Sequence, residues 1–486
     1  MPARTGAAYL QGLRARNTEV WLGNERIRDV TSHPALRRGA QSVAHLYDMQ
    51  HDPALCDEMT YISPSSGEPV GLSFIIPRTR QDLERRGTMM AYWARTTCGM
   101  MGRSPDFMNV NLAAWAAAAD YFAQNRPEFR GNVVRYYEYI REHDLALTHA
   151  LLNLQRSRPA AELFNLSEET ALHVVRETDA GLVVRGARVL ATFGPLAEEI
   201  AIYSPRMRRM KEEEERRYAL AFAIPCATPG LRFLCRESFD LGRSHFDHPL
   251  GSRFEEMDCV VFFDDVLVPW ERVFLLGDVE LLNDMMTATK MTVHTGHQGA
   301  VKDVAKSEFL LGVALLMAHT LGSDELPHVQ ERLAELMVHT EVMKACLRAA
   351  EVDGQLDSWG VMCPAALPLE VIRTQFTSVY PRMVEILQLL GSSSFMIMPS
   401  EADFQGPLAP EIERYLATDT TPARERVKLF RLAWDIACSA FSGRQVLYER
   451  FFAGDPLSRA QSLYKIYPKD RLMERIWEFL GRGADA

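Results

Sequence analysis

The spacing of apolar residues divides the chain into three parts. Over residues 1–144 the period is helical, and two alanine-rich segments with aromatic residues, 88–97 and 111–123, are typical of buried helices. Over 145–271 short runs of β-branched and aromatic residues alternate with glycine and proline, which indicates strands joined by turns. Over 272–486 apolar residues recur at steps of three, four and seven, as in helices. The pattern predicts an α+β protein with an N-terminal helical domain, a middle β domain and a C-terminal helical bundle.

A glycine-rich loop joins the two alanine-rich helices. Residues 99–109 read GMMGRSPDFMN. Glycine lets a ligand approach the backbone, Ser104 and Pro105 are typical of a turn that starts a helix, and Arg103 offers a planar set of donors. Taken alone, the loop is either a helix start with a surface arginine or a site for an anionic group.

Composition and charge exclude some classes of protein. The net charge of -10 argues against a nucleic-acid surface, because binding phosphates needs clustered basic residues. The first 19 residues are polar and arginine-rich, and no apolar run reaches the roughly 20 residues that span a bilayer. The eight cysteines include no CxxC pair. We therefore expect a cytoplasmic protein with reduced thiols and no membrane segment.

Two histidines, His294 and His297, raise the question of a metal site. Residues three apart share one face of a helix, so both rings could reach one ion. No third ligand can be nominated from the sequence, and we predict no metal site.

Six blocks of sequence stand out along nearly the whole chain: GMMGRSPDF in the loop, THALLN at 148–153, RGARVLATFGPLAEE at 185–199, FDHPLGSRFEEMDCVVFFDDVLVPWERVF at 246–274, LFRLAWD at 429–435 and GRQVLYERFFAGDP at 443–456. Together, and in this collinear order, they resemble one family of enzymes, the oxygenase component of 4-hydroxyphenylacetate 3-monooxygenase, which includes chlorophenol monooxygenases.

This resemblance implies a fold and a chemistry. The order of helices, β domain and helical bundle is that of acyl-CoA dehydrogenase-like flavoproteins. Family members receive FADH2 from a separate NAD(P)H:flavin reductase, use dioxygen as co-substrate, and hydroxylate a phenolic ring through a flavin C4a-hydroperoxide. The resemblance also implies a homotetramer arranged as a pair of dimers. The absence of a GxGxxG turn agrees with a chain that binds no nicotinamide itself.

The resemblance also assigns roles to particular residues. Arg103 would face the substrate oxygen and the flavin edge, where a fixed cation favours phenolate over phenol. His149 would lie beside the substrate hydroxyl, and His294 falls close to a catalytic base of the chlorophenol branch. The catalytic residues implied are Arg103, His149 and His294, and the substrate contacts implied are Arg103, Ser104, Phe107, His149, Ser204 and Pro205.

Flavin contacts are implied by the same blocks. Thr192 would approach flavin N5, Arg158 suits a pyrophosphate, and Asp258 and Arg444 match an acid and a base beside the flavin peroxide. The predicted cofactor-binding residues are His149, Ala150, Leu151, Gln155, Arg158, Thr192, Asp258, Arg444, Tyr448, Glu449, Arg450 and Phe451.

One position departs from the family pattern. The 4-hydroxyphenylacetate enzymes usually have tyrosine where this chain has Phe107. A substrate group left unpaired in a dry pocket costs on the order of 1 to 3 kcal/mol. The substrate therefore stays open between 4-hydroxyphenylacetate and another ring, such as a halophenol, a tyrosine derivative or an indole.

Other functions of the same fold are weighed against this one. A 4-hydroxybutyryl-CoA dehydratase needs an iron-sulfur cluster held by three cysteines and a histidine, but Gly102 stands four residues after Cys98 and Val304 seven after His297. An acyl-CoA dehydrogenase would need a carboxylate base, which the sequence does not exclude. A non-catalytic flavin-storage protein is the remaining alternative.

Overall fold

The computed structural model describes residues 3–154, 170–204, 213–240 and 242–482. Its N-terminal part is mainly helical, and it also contains four short strands that the apolar period did not predict. The helices are α1 Gly6–Ala15, α2 Arg37–Asp48, α3 Cys56–Met59, α4 Arg80–Thr96, α5 Pro105–Ala117, α6 Ala119–Ala123 and α7 Pro127–Glu142, and the strands are β1 Glu19–Leu22, β2 Glu25–Ile27, β3 Thr60–Ile62 and β4 Pro69–Gly71.

Only the first part of the predicted glycine-rich loop, residues 99–104, lies between α4 and α5, because residues 105–109 already belong to α5. A capping box of Thr79 and Asp82 starts α4, and Pro105 occupies the first turn of α5. Gly99 has φ +68°, and a Cβ there would lie 2.5 Å from Cβ of Lys306 and 2.8 Å from its backbone nitrogen. Only glycine allows this close approach.

The middle part forms two sheets that share one apolar core. The larger has the order β2-β1-β10-β11-β7-β6 and the smaller β12-β9-β8-β5, so the N-terminal strands β1 and β2 extend the larger sheet through a parallel pairing of β1 with β10. The bounds are β5 Leu147–Ala150, β6 His173–Thr178, β7 Gly181–Val189, β8 Glu199–Ile202, β9 Leu220–Pro225, β10 Leu231–Cys235, β11 Cys259–Pro269 and β12 Val273–Leu276.

The C-terminal part is a helical bundle around α9, which packs against α4, α5, α10 and α11. None of the helices in the described ranges is long and apolar enough to cross a bilayer. The helices are α8 Val279–Ala288, α9 Met291–Thr320, α10 Pro327–Val352, α11 Ala366–Gly391, α12 Ala409–Leu416, α13 Ala423–Ala437, α14 Ala440–Phe451, α15 Pro456–Ile466 and α16 Lys469–Phe479, with a hairpin of β13 Gln355–Leu356 and β14 Met362–Cys363.

The last two helices expose apolar side chains. In α16 no residue is buried, although its apolar residues recur at helical spacing and form one face. The exposed apolar side chains of α15 and α16 include Leu457, Tyr464, Ile466, Leu472, Met473, Ile476, Trp477 and Phe479. The predicted α+β architecture with a helical C-terminal region is confirmed. α15 packs against α11 on one side, whereas no residue of α16 is buried within the described chain.

Candidate functional site

The Arg103 guanidinium lies among three aromatic rings. Its central carbon is 3.9 Å from the ring centroid of Phe107, 5.5 Å from that of Tyr448 and 5.3 Å from that of Phe452. The Tyr448 and Phe452 rings stack on each other, with their centroids 4.8 Å apart. Such contacts hold a guanidinium by cation–π attraction without occupying its N–H groups. Within the described ranges the guanidinium makes one long hydrogen bond, to the Gly102 carbonyl at 3.4 Å. Most of its donors are therefore available to a ligand.

His149 lies on β5 against the same group of rings. It is buried, and its ring meets Phe107 edge-on with centroids 5.4 Å apart. Its Nδ1 is 3.3 Å from the Tyr203 hydroxyl and 3.1 Å from Sδ of Met108. Burial, together with the positive charge of Arg103, lowers the His149 pKa well below its usual range. The imidazole is therefore neutral at physiological pH.

The structure thus brings together Arg103, Phe107 and His149, three residues that the sequence assigned to substrate. Ser104, assigned with them, is buried in the turn and donates from its hydroxyl to Oδ1 of Asp106 at 2.6 Å. That hydrogen bond gives Ser104 a structural role in starting α5, and its contact with substrate stays a prediction.

Thr192, Asp258 and Arg444 form a second group beside the first. The Thr192 hydroxyl donates to Oδ1 of Asp258 at 2.7 Å, and Arg444 donates to both oxygens of that carboxylate at 3.0 and 2.8 Å. Burial opposes ionisation of Asp258, but the guanidinium groups of Arg444 and Arg236 hold its pKa below its usual range. Asp258 is therefore an ionised partner of arginine in this structure, an arrangement that does not suit a proton donor.

The two groups are linked through Glu256. This buried carboxylate accepts from the backbone N–H of Arg103 and from NH1 of Arg444, the latter at 3.2 Å. Burial raises the pKa of Glu256, although the positive charge of Arg444 acts to lower it. Glu256 therefore ties the glycine-rich loop to α14.

Besides Arg444, α14 carries four predicted flavin contacts, at positions 448–451, and their side chains lie in different surroundings. Tyr448 faces Arg103, and its hydroxyl is buried with no hydrogen-bond partner in the described chain. Glu449 is buried on another side of the helix, where it accepts from Lys302 at 2.5 and 2.6 Å and from Lys306 at 2.6 Å. Arg450 is half-buried, and Phe451 is 50% exposed. Glu449 therefore belongs to the bundle interior, and flavin contacts of Arg450 and Phe451 stay predictions.

The remaining residues assigned to flavin or substrate are placed as follows. Ala150 is buried next to His149 on β5, and the Leu151 carbonyl accepts from Arg188 at 2.6 Å. The Ser204 hydroxyl is buried and has no partner among the residues that the structure describes. Gln155, Arg158 and Pro205 lie outside the described residues.

His294 contacts Arg86, and none of its hydrogen bonds in the described ranges is to Arg103, Phe107 or His149. Its Nδ1 is 3.0 Å from NH2 of Arg86, and burial, with the charge of Arg86, lowers its pKa well below the usual range. Ligand atoms of His294, Asp357 and Cys363 come within 4.8 Å of one another. The guanidinium beside the imidazole opposes a cation, and burial raises the pKa of the Cys363 thiol to about 11, which keeps it protonated. This set does not suit a metal ion, and a role for His294 as a base stays a prediction.

Sequence reasoning missed four residues of the site: Asn111, Tyr203, Glu256 and Phe452. Phe452 could have been inferred, because it lies four residues after Tyr448 and shares its helix face. Tyr203 reaches His149 through the parallel pairing of β5 with β8, in which His149 is opposite Ala201. No local pattern in the sequence predicts that register.

The donors of this site fit a flavin. The Tyr448 and Ser204 hydroxyls are buried without partners, and the Arg103 guanidinium has donors to spare. A flavin ring offers carbonyl and ring-nitrogen acceptors that such donors could satisfy. The site therefore has the donor chemistry to hold that cofactor.

Similarity to known proteins extends over almost the whole chain. Two family models, described as 4-hydroxyphenylacetate 3-hydroxylase N terminal and C terminal, match residues 5–275 and 282–481. The 4-hydroxyphenylacetate 3-monooxygenase oxygenase component of Thermus thermophilus is 47% identical, covering 98% of this chain and 97% of its own length. That of Geobacillus sp. strain PA-9 is 43% identical, covering 100% and 97%.

Comparison with solved structures gives the same similarity. A crystal structure of such an oxygenase component, complexed with FAD and 4-hydroxyphenylacetate, superposes with a TM-score of 0.94 at 47% identity and covers 99% of each chain. A 4-hydroxybutyryl-CoA dehydratase from N. maritimus has a TM-score of 0.88 at 19% identity over 99% of this chain and 95% of its own, which shows a shared fold alone.

Proposed function

The chain belongs to the 4-hydroxyphenylacetate 3-hydroxylase family, and on that premise we propose that it is the oxygenase component of a two-component flavin-dependent monooxygenase that hydroxylates a phenolic ring. FAD is its cofactor and dioxygen its co-substrate. The observation that carries the proposal is the convergence of Arg103, with its uncommitted donors, and neutral His149 on the ring of Phe107. A separate NAD(P)H:flavin reductase would supply FADH2.

The residues of this chain would prepare the ring for attack. Reduced FAD together with dioxygen supplies the oxygen atom that is transferred. Arg103 stabilises a phenolate through its charge, which raises the electron density of the ring at the carbons ortho and para to the oxygen. The surrounding aromatic side chains keep water out, which strengthens that interaction. Thr192 and Tyr448 would hold the flavin, with Arg444 positioning Asp258 and α14 beside it.

The geometry favours a phenol over the alternative substrates and reactions. Arg103 and His149 can both address a ring oxygen, which an indole lacks. Glu256 and Asp258, the two carboxylates that link Arg103 to α14, are engaged by arginine and threonine and are unsuited to the α-proton removal of an acyl-CoA dehydrogenase. We propose 4-hydroxyphenylacetate or a close analogue as substrate, with a halophenol or tyrosine derivative as the alternative that Phe107 keeps open.

We propose in addition a homotetramer made of two dimers. The apolar side chains that α15 and α16 expose support it, since a surface of this kind is stable when a partner covers it. A cytoplasmic location is proposed because that compartment supplies NAD(P)H and keeps free thiols reduced, and all eight cysteines are free.

The proposal is tested by a reconstituted assay. The purified chain is combined with a generic flavin reductase, NADH, FAD and air, and offered a panel of phenols, phenolic acids, halophenols and indoles. We expect at least one phenol to give a catechol product. The amount of product is compared with the amount of hydrogen peroxide released. Release of hydrogen peroxide alone with every compound would contradict the proposal.

A further inference from the structure

Three buried polar side chains form a chain that ends on His149. Nδ2 of Asn111 donates to the Tyr203 hydroxyl oxygen at 2.7 Å, and that hydroxyl lies 3.3 Å from Nδ1 of His149. Asn111 is 0% and Tyr203 1% exposed. The Tyr203 ring is fixed edge-on between Trp115 and His149, with centroids 5.1 and 5.8 Å away. The hydroxyl is therefore held in one place by packing.

The direction of these hydrogen bonds follows from the neighbours. Because the Tyr203 oxygen accepts from Asn111, its own proton points to Nδ1 of His149. The other neighbour of Nδ1 is Sδ of Met108 at 3.1 Å, and a thioether is a weak acceptor that cannot donate. Burial raises the pKa of Tyr203, so the phenol keeps its proton. Nδ1 is thus an acceptor, and the single proton of the neutral imidazole resides on Nε2.

We propose that Tyr203, oriented by Asn111, is a positioning residue that fixes His149 as the Nε2–H tautomer, so that His149 donates a hydrogen bond to the substrate oxygen and does not act as its base. This rests on the proposed function of the site. Nε2 makes no hydrogen bond to any residue in the described ranges, and the side chain keeps 8% exposure. It is the one ring nitrogen left for a ligand.

The tautomer defines the form in which substrate binds. Arg103 and the Nε2–H group are both donors, so a ring oxygen between them accepts from both. The positive charge of Arg103 favours the ionised form of that oxygen, a phenolate, whose proton leaves to water before or during binding while His149 keeps its own. The site would therefore select phenols that ionise readily over aromatic ethers and unsubstituted rings.

The test is imidazole 15N NMR of the full-length protein labelled at histidine, recorded without added flavin. The His149 signals are assigned by their loss in His149→Phe, since the chain has 13 histidines. In the wild type an unprotonated Nδ1 and a protonated Nε2 are expected. In Tyr203→Phe the unprotonated Nδ1 signal should be lost, because Met108 Sδ then becomes the only neighbour and favours Nδ1–H. A protonated Nδ1 in the wild type, or an unchanged spectrum in Tyr203→Phe, would overturn the inference.

A matched control separates this effect from general damage to packing. Tyr9 is also fully buried and donates from its hydroxyl to a single carbonyl, that of Leu196 at 2.7 Å. Tyr9→Phe should leave the His149 signals unchanged, and an equal change in both variants would contradict a specific role of Tyr203. In turnover, Tyr203→Phe should raise KM for the phenol about tenfold with reduced-FAD binding unaffected. The NMR measurement needs no turnover, so failure of the proposed function would leave its result intact.

Discussion

At the scale of the residue, Arg103 owes its availability to what surrounds it. Aromatic faces hold the guanidinium, and the nearby carboxylate of Glu256 is engaged by the backbone N–H of Arg103 and by Arg444. The sequence could predict Arg103 and His149 because short local motifs carry them. It could not predict Tyr203 and Asn111, whose roles depend on contacts across 54 and 92 residues of chain.

Replacing Arg103 should remove hydroxylation and leave flavin binding in place. In Arg103→Ala the charge that favours phenolate is lost, and we expect product formation to fall at least about 100-fold while hydrogen peroxide release persists. Product and peroxide are measured in the reconstituted assay. Arg130→Ala, which removes an exposed arginine paired with Asp120, is the control. Near-normal product from Arg103→Ala would refute its assigned role.

Phe107 is the residue that tests substrate choice. Phe107→Tyr adds a hydroxyl beside Arg103 and His149. We expect the ratio of kcat/KM for 4-hydroxyphenylacetate to kcat/KM for 4-chlorophenol to rise roughly five- to tenfold, because the new hydroxyl can form one hydrogen bond to the substrate. Tyr415→Phe, which removes a hydroxyl from a 69% exposed ring on α12, is the control and should leave this ratio unchanged. If Phe107→Tyr leaves the ratio unaltered, position 107 does not contact substrate.

At the scale of the element, helix starts and buried faces explain which predictions succeeded. The capping residues of α4 and the proline of α5 are local signals. Both helices exist as predicted, but α4 begins at Arg80 and α5 at Pro105, ahead of the predicted starts at residues 88 and 111. Strands β1 and β2 carry no comparable signal, because they are short and gain their stability by joining a sheet formed much later in the chain. The lysine partners of Glu449 on α9 cannot be inferred from the helix that carries it either, and its flavin contact stays a prediction.

The start of α5 makes stability depend on pH. Burial raises the pKa of Asp106 to about 6, despite hydrogen bonds from Ser104 and Gln298. The folded state therefore keeps a proton that the unfolded chain releases between about pH 4 and 6, so this group makes the free energy of unfolding fall as pH rises through that window.

Asp106→Asn should remove this contribution. Between pH 4 and 6, we expect the free energy of unfolding of the wild type to fall by up to roughly 2 kcal/mol relative to that of the variant. Urea denaturation of both proteins across that range measures the difference. Asp120→Asn, at an exposed carboxylate, serves as control. Parallel profiles for the wild type and Asp106→Asn would show that Asp106 titrates normally.

At the scale of the whole molecule, the described chain leaves one apolar surface exposed to solvent. The apolar face of α16 is exposed in the described chain, which is unfavourable in water, and in the proposed homotetramer a second copy of the chain would cover it. The sequence alone marked this region as helical, whereas its exposure became visible only once the other helices of the bundle had been placed.

Charges on that face should weaken assembly. The double variant Ile476→Glu/Trp477→Glu places carboxylates where apolar side chains are 58% and 50% exposed. We expect a smaller oligomer by light scattering, since burying the new charges costs several kcal/mol. Glu474→Gln on the same helix should keep the parental mass. An unchanged mass in the double variant would place the subunit contact elsewhere.

The parallel pairing of β5 with β8 also bears on how the protein folds. His149 meets Tyr203 only when strands some 50 residues apart align in register, with Leu147 opposite Glu199. A slip of one residue would turn the imidazole to the opposite face of the sheet. Contacts of such long sequence separation form slowly. During synthesis, the chain therefore acquires a competent His149 only after the whole of β8 has emerged, so a truncated product that ends before residue 199 contains the histidine but not the site.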